Sequence, residues 1–76
     1  METSLDSMCV GRQGVVLRIH TDPWLKSRLR SLGLIPGTTV SCRYRTPCGK
    51  VTAVEFRGTV VALRTRDLQK IWVVPR

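Results

Sequence analysis

The seven residues Leu32-Gly33-Leu34-Ile35-Pro36-Gly37-Thr38 stop a helix and start a strand with no room for a linker between them. Gly33 falls where a helix needs a left-handed residue just past its last turn, and Pro36 beside Gly37 makes a turn through which no helix continues. Thr38, Thr39 and Val40 then restart the chain with β-branched side chains that favour a strand. Gly33, Pro36 and Gly37 are therefore read as the structural junction of the fold.

Upstream of the junction, Asp22-Pro23 supplies an N-cap and a proline at the first helical position, where the missing N–H costs nothing. The pattern predicts a helix from Pro23 to Leu32, with Leu25, Leu29 and Leu32 on one stripe and Lys26, Arg28 and Arg30 largely off it. Before the helix, Gly11-Arg12-Gln13-Gly14 reads as a turn, and Val15, Leu17 and Ile19 alternate with Val16, Arg18 and His20 as a strand whose first set points inward. After the junction, Val40, Cys42 and Tyr44 form the inner face of a second strand and Ser41, Arg43 and Arg45 its outer face.

A turn over residues 46–50 closes a hairpin that sets Cys42 opposite Val54 and Val40 opposite Phe56. A second turn at Arg57-Gly58 pairs Phe56 with Thr59, Val54 with Val61 and Thr52 with Leu63. Thr65 to Gln69 is long enough for a single turn, and Ile71 to Val74 make a last strand ending at Pro75. Five short strands with one helix between the first two make the chain mainly β. A flat sheet of that size leaves one face bare, so a small SH3-like barrel is expected. Residues 1–9 show no period and are expected as a flexible tail ahead of one domain over residues 10–76.

The first residues lack the basic and apolar regions of a secretory signal, and no apolar run approaches the ~20 residues of a membrane span. Cys9, Cys42 and Cys48 are odd in number and form no CxxC pair, against both a disulfide framework and a zinc site. Free thiols fit a reducing compartment, so a cytoplasmic location with no membrane insertion is expected.

Thirteen Lys and Arg against five acids give a net charge of +8, which draws acidic ligands toward the domain. The cations are scattered singly, as an ordinary solvated surface has them. An RNA-binding barrel contacting phosphates through Arg18, Arg43, Arg45, Arg57 and Lys70 is the alternative reading.

Catalysis finds little to work with: one histidine, His20, scattered acids and no glycine-rich phosphate loop. No catalytic residue, metal ligand or cofactor is assigned. His20 and Asp22 are the only close pair of ligand types, and they read as a strand end and a helix cap. Trp24 and Trp72 either line a groove for a proline-rich peptide or pack on the barrel wall.

If Val54 and Phe56 face inward, Val51, Ala53, Val60 and Ala62 face outward, on the same side as Arg43, Arg45 and Arg64. An apolar strip edged by guanidinium groups has the composition of a protein interface, suited to a partner or to weak self-association. It is either a docking surface or a strip covered within the monomer by the helix's leucine face or the tail.

A pattern also runs through most of the chain, from Val10 to Val73. It comprises Gly11 and Gly14 ahead of Val15 and Ile19, Arg28-Leu29 with the Leu32–Thr38 junction, Pro47 and Gly49, then Gly58, Ala62-Leu63-Arg64 and Val73. This pattern resembles the FeoA family, with Leu68 where a small residue is common. The resemblance implies an SH3-like, non-catalytic module of bacterial ferrous iron uptake. Its implied partner is the cytoplasmic GTPase domain of the ferrous iron permease, FeoB.

Overall fold

The computed structural model describes residues 1–76. Its first long strand, β2, follows a two-residue strand β1 (Thr3–Ser4) and a 3-10 turn at Leu5–Ser7, and covers Gln13–Ile19. Helix α1 spans Pro23–Leu32, the predicted range, because both of its ends are set by local chemistry. The Asp22 carboxylate accepts from the Leu25 backbone N–H at 3.0 Å, and Gly33 adopts φ 104° beyond the last turn. There the Gly33 N–H donates to the Arg30 carbonyl at 3.0 Å and the Leu34 N–H to the Leu29 carbonyl at 2.9 Å, a Schellman closure. Leu29 and Leu34, which such a closure brings together, are both buried.

The junction is tied to β2 as well as to the helix. Pro36 and Gly37 (φ 95°) form the centre of a tight turn in which the Thr38 N–H donates to the Ile35 carbonyl at 3.0 Å. Gly37 N–H donates to the Val16 carbonyl at 2.7 Å, and Val16 N–H to that of Thr38 at 2.9 Å. The Thr38 hydroxyl donates to the Gly33 carbonyl at 3.0 Å.

The remaining elements are β3 (Thr39–Arg45), β4 (Val51–Phe56), β5 (Thr59–Arg64), the one-turn helix α2 (Thr65–Leu68) and β6 (Ile71–Pro75). All pairings are antiparallel, in one bent six-stranded sheet of order β1-β6-β2-β3-β4-β5. Helix α1 lies on the β5 side: Trp24 and Leu25 share a cleft with Ala62 and Leu63, and Arg57 reaches Gly33. The expected mainly β barrel with a helix after its first long strand is what forms. The predicted pairs Cys42–Val54, Phe56–Thr59, Val54–Val61 and Thr52–Leu63 all occur. The Arg57-Gly58 turn carries φ 51° and 77°, positive at both central residues, which matches the right-handed twist of the strands it joins.

Two bulges correct the predicted facing. In β2 the register skips Leu17, so the inward residues are Val16 and Ile19, while Leu17 is exposed and Val15 half-buried. In β3 it skips Arg43, so Cys42 and Arg45 point inward and Tyr44 is expelled to the outer face. A bulge sets two residues against one, which widens the spacing between inward side chains from two to three.

The N-terminal segment is not the loose tail expected over residues 1–9. β1 pairs with β6 through Thr3–Val73 and Ser4–Trp72, and Leu5 and Met8 are buried in the core with Val16, Phe56, Leu68, Ile71 and Val73. Of the leucine stripe on α1, Leu29 is fully buried and Leu25 packs on the core, but Leu32 is exposed; Leu34, after the helix stop, fills the core instead.

Candidate functional site

The outer face of β3, β4 and β5 follows from the register. Tyr44, Ala53 and Ala62 lie side by side across the three strands, flanked by a Ser41–Glu55–Val60 row and a Val51–Arg64 pair. Tyr44 is 59% exposed and Val60 56%, with Ala62 and Arg64 also exposed and Val51 half-buried. Neither α1 nor the N-terminal segment covers Tyr44, Val60 or Ala62. Trp24, 71% exposed at the start of α1, continues the apolar surface past Ala62. Beyond Val60, a cleft of about 410 Å³ includes Tyr44, Arg43, Ser41 and Gln13.

Two of the seven strip residues behave differently from expectation. Ala53 is on the predicted face but buried, because its small side chain lies between Tyr44 and Ala62. Arg45 leaves the strip altogether: drawn inward by the bulge, its guanidinium donates to the Asp6 carbonyl at 2.6 Å, the Met8 carbonyl at 2.7 Å and the Asp6 carboxylate at 3.3 Å. It holds the N-terminal segment down and is not available to a partner. Tyr44 takes the place it vacates. Nothing in the alternation Cys42-Arg43-Tyr44-Arg45 marks the bulge, so Tyr44 had no signal in the chain.

Arg43 stays on the outer face, 3.3 Å from the Glu55 carboxylate. Glu2 is held below the ordinary carboxylate range by its hydrogen bond from Arg18, whose own ionisation is raised in turn. With Asp6 on Arg45 and Asp22 capping α1, four of the five acids are committed within the domain. The two tryptophans share no cleft: Arg18 lies over the Trp72 ring at 5.6 Å and Arg28 over Trp24 at 5.9 Å. Burial pushes the Cys42 thiol up, whereas hydrogen bonding with the Thr46 hydroxyl and from the Lys50 backbone pulls exposed Cys48 down.

No three His, Cys, Asp or Glu side chains gather into a group able to hold a metal ion. No helix is long and apolar enough to cross a membrane.

The FeoA domain model matches residues 3–75 of this chain. The FeoA protein of Chlorobium tepidum shares the fold with a TM-score of 0.93 at 23% identity, over 96% of this chain and 70% of that one. A FeoA described as an iron uptake regulatory protein gives 0.82 at 25% identity, over 100% and 99%. The FeoA of Stenotrophomonas maltophilia complexed with zinc, described as a prokaryotic SH3 domain protein, gives 0.77 at 26% identity, over 97% and 89%. This chain offers no three-ligand group for such a zinc. No curated protein is similar enough in sequence to match. The match over residues 3–75 includes the N-terminal strand and the whole barrel built around the Leu32–Thr38 junction, and the chain belongs to the FeoA family.

Proposed function

We propose that this protein is a non-catalytic, cytoplasmic docking module of ferrous iron uptake, binding the GTPase domain of the ferrous iron permease through the outer face of β3, β4 and β5. The observation that carries this reading is the uncovered strip of Tyr44, Val60 and Ala62 with Arg43 and Arg64 beside it. An exposed aromatic with arginines beside it is what protein interfaces enrich. The S. maltophilia relative is described in connection with activating ferrous iron transport, which supports the same direction.

The test is binding of the purified chain to the permease's cytoplasmic GTPase domain, with circular-dichroism melts alongside. Val60→Glu and Ala62→Glu place a charge on an exposed outer face, so both variants are expected to melt near the parent chain. Each should weaken binding about ten-fold or more, since an unpaired charge buried at an interface costs at least about 1.4 kcal/mol. Unchanged binding by both variants would sink the proposal. Capture of RNA in place of the GTPase domain, lost on raising salt, would favour the basic-barrel reading.

A further inference from the structure

The largest cleft of the molecule, about 620 Å³, adjoins the docking face at Val51 and Arg64 and runs between the β3–β4 turn and α2. Its charged lining is entirely positive: Lys50 from the turn, Arg64 from the end of β5 and Arg66 from α2, with the Gln69 amide as a further hydrogen-bonding group. Three other arginines are held by carboxylates, Arg18 by Glu2, Arg43 by Glu55 and Arg45 by Asp6, whereas Lys50, Arg64 and Arg66 are among the cations the domain leaves unpaired. On their far side Arg64 and Arg66 border a second cleft with Asp22 and Asp67, and neither acid pairs with them.

The backbone that carries them is fixed. The Thr65 N–H donates to the Lys50 carbonyl at 2.9 Å and the Thr65 hydroxyl to that of Gly49, tying α2 to the turn. Within the turn, Gly49 N–H donates to the Thr46 carbonyl at 2.9 Å and Thr46 N–H to that of Val51 at 3.0 Å. Three like charges are thereby held around one open space, at a cost in mutual repulsion that an anion relieves.

We infer that this cleft binds a small linked-phosphate ligand, of the class of a diphosphate or triphosphate, with Arg64 and Arg66 contacting its oxygens and Lys50 and Gln69 completing the site. Guanidinium groups match phosphate oxygens two at a time, and the lysine adds a point charge. One exposed cation holds a monovalent anion poorly, because water and salt screen it. Three around one cleft favour a ligand whose charges are themselves linked.

Inorganic pyrophosphate titrated into the isotope-labelled full chain tests the site by amide chemical shifts, against sodium chloride of equal ionic strength. Saturable shifts confined to residues 49–51 and 64–69 are expected. Lys50→Gln with Arg66→Gln should weaken the apparent affinity at least about ten-fold, since two of the three cations that face the phosphates are removed. Lys26→Gln with Arg30→Gln, on α1, should leave it unchanged. Non-saturating shifts, shifts reproduced by sodium chloride, or equal loss in the α1 variant would overturn the inference. Lys50 and Arg66 lie outside the docking strip, so the same double variant should keep its binding to the GTPase domain; the two proposals fail separately.

Discussion

The Arg57 side chain donates its Nε–H to the Gly33 carbonyl at 3.1 Å, and its Cδ sits 2.6 Å from where a Cβ on Gly33 would be. The tip of the β4–β5 hairpin thus locks the end of α1, using space that exists because residue 33 has no side chain. The same carbonyl accepts from the Thr38 hydroxyl, so helix stop, turn and hairpin meet at one oxygen.

Gly33→Ala therefore meets two penalties, a left-handed φ of 104° and a collision with Arg57. A loss of about 2–3 kcal/mol is expected in denaturant unfolding. Gly37, with φ 95° and nothing within 4 Å of the place a Cβ would take, meets the backbone penalty alone. Gly37→Ala should cost about 1 kcal/mol. Equal losses would show that the Arg57 contact carries no weight.

Arg45→Gln removes the donors that hold two backbone carbonyls and the Asp6 carboxylate. Hydrogen bonds to a charged group and their unmet acceptors set the loss at about 2–3 kcal/mol. Amide exchange should accelerate first at Leu5 to Met8. Arg43→Gln breaks only an exposed pair with Glu55 and should change stability by at most about 1 kcal/mol. Arg45 acting as a surface residue would make the two variants equivalent.

Thr52 is buried between Arg45 and Leu63 in the strand register, and its hydroxyl has no hydrogen-bond partner. Valine keeps the shape and removes the unpaired group. Thr52→Val should stabilise the domain by about 1 kcal/mol, read as a shift in the denaturant midpoint with an unchanged slope. A destabilised variant would mean that the hydroxyl is paired in solution.

The thiols should separate by pH. Donors from Thr46 and Lys50 stabilise the Cys48 thiolate, lowering its pKa, while burial raises that of Cys42. Because the thiolate is the nucleophile, Cys48 should become alkylated at a lower pH in the folded chain than in denaturant, and Cys42 should stay unlabelled until the domain opens. Mass spectrometry after iodoacetamide treatment follows both sites. Identical Cys48 profiles in the folded and denatured chain would contradict the geometry.

What could be read from the chain was local. Asp22-Pro23 and Gly33 set both ends of α1 within a few residues of where their signals stand, and Arg57-Gly58 fixed the register of β4 on β5. What was hidden was non-local or a matter of phase. Both bulges leave the alternating pattern intact in the chain while shifting every inward position beyond them, which is how Tyr44 and Arg45 exchanged faces. The docking of Leu5 and Met8 depends on Arg45 and on β6, far along the chain. The family pattern is insensitive to both bulges at Gly11, Gly33, Pro36, Gly37, Pro47, Gly49 and Gly58, which sit at turns, where backbone conformation, not strand phase, selects them.

The sheet order also bears on when this protein can be made whole. β6 lies between β1 and β2, so a strand made after the other five is the one inserted between the first two. It brings Ile71 and Val73, both fully buried, into a core that stands open on that side until then. Hairpins β3–β4 and β4–β5 can pair during synthesis, but the native sheet closes only after Pro75 has emerged, through contacts that span nearly the whole chain. The N-terminal strand in turn has nowhere to pair before that moment, so β1 and β2 are joined into one sheet by the same late strand.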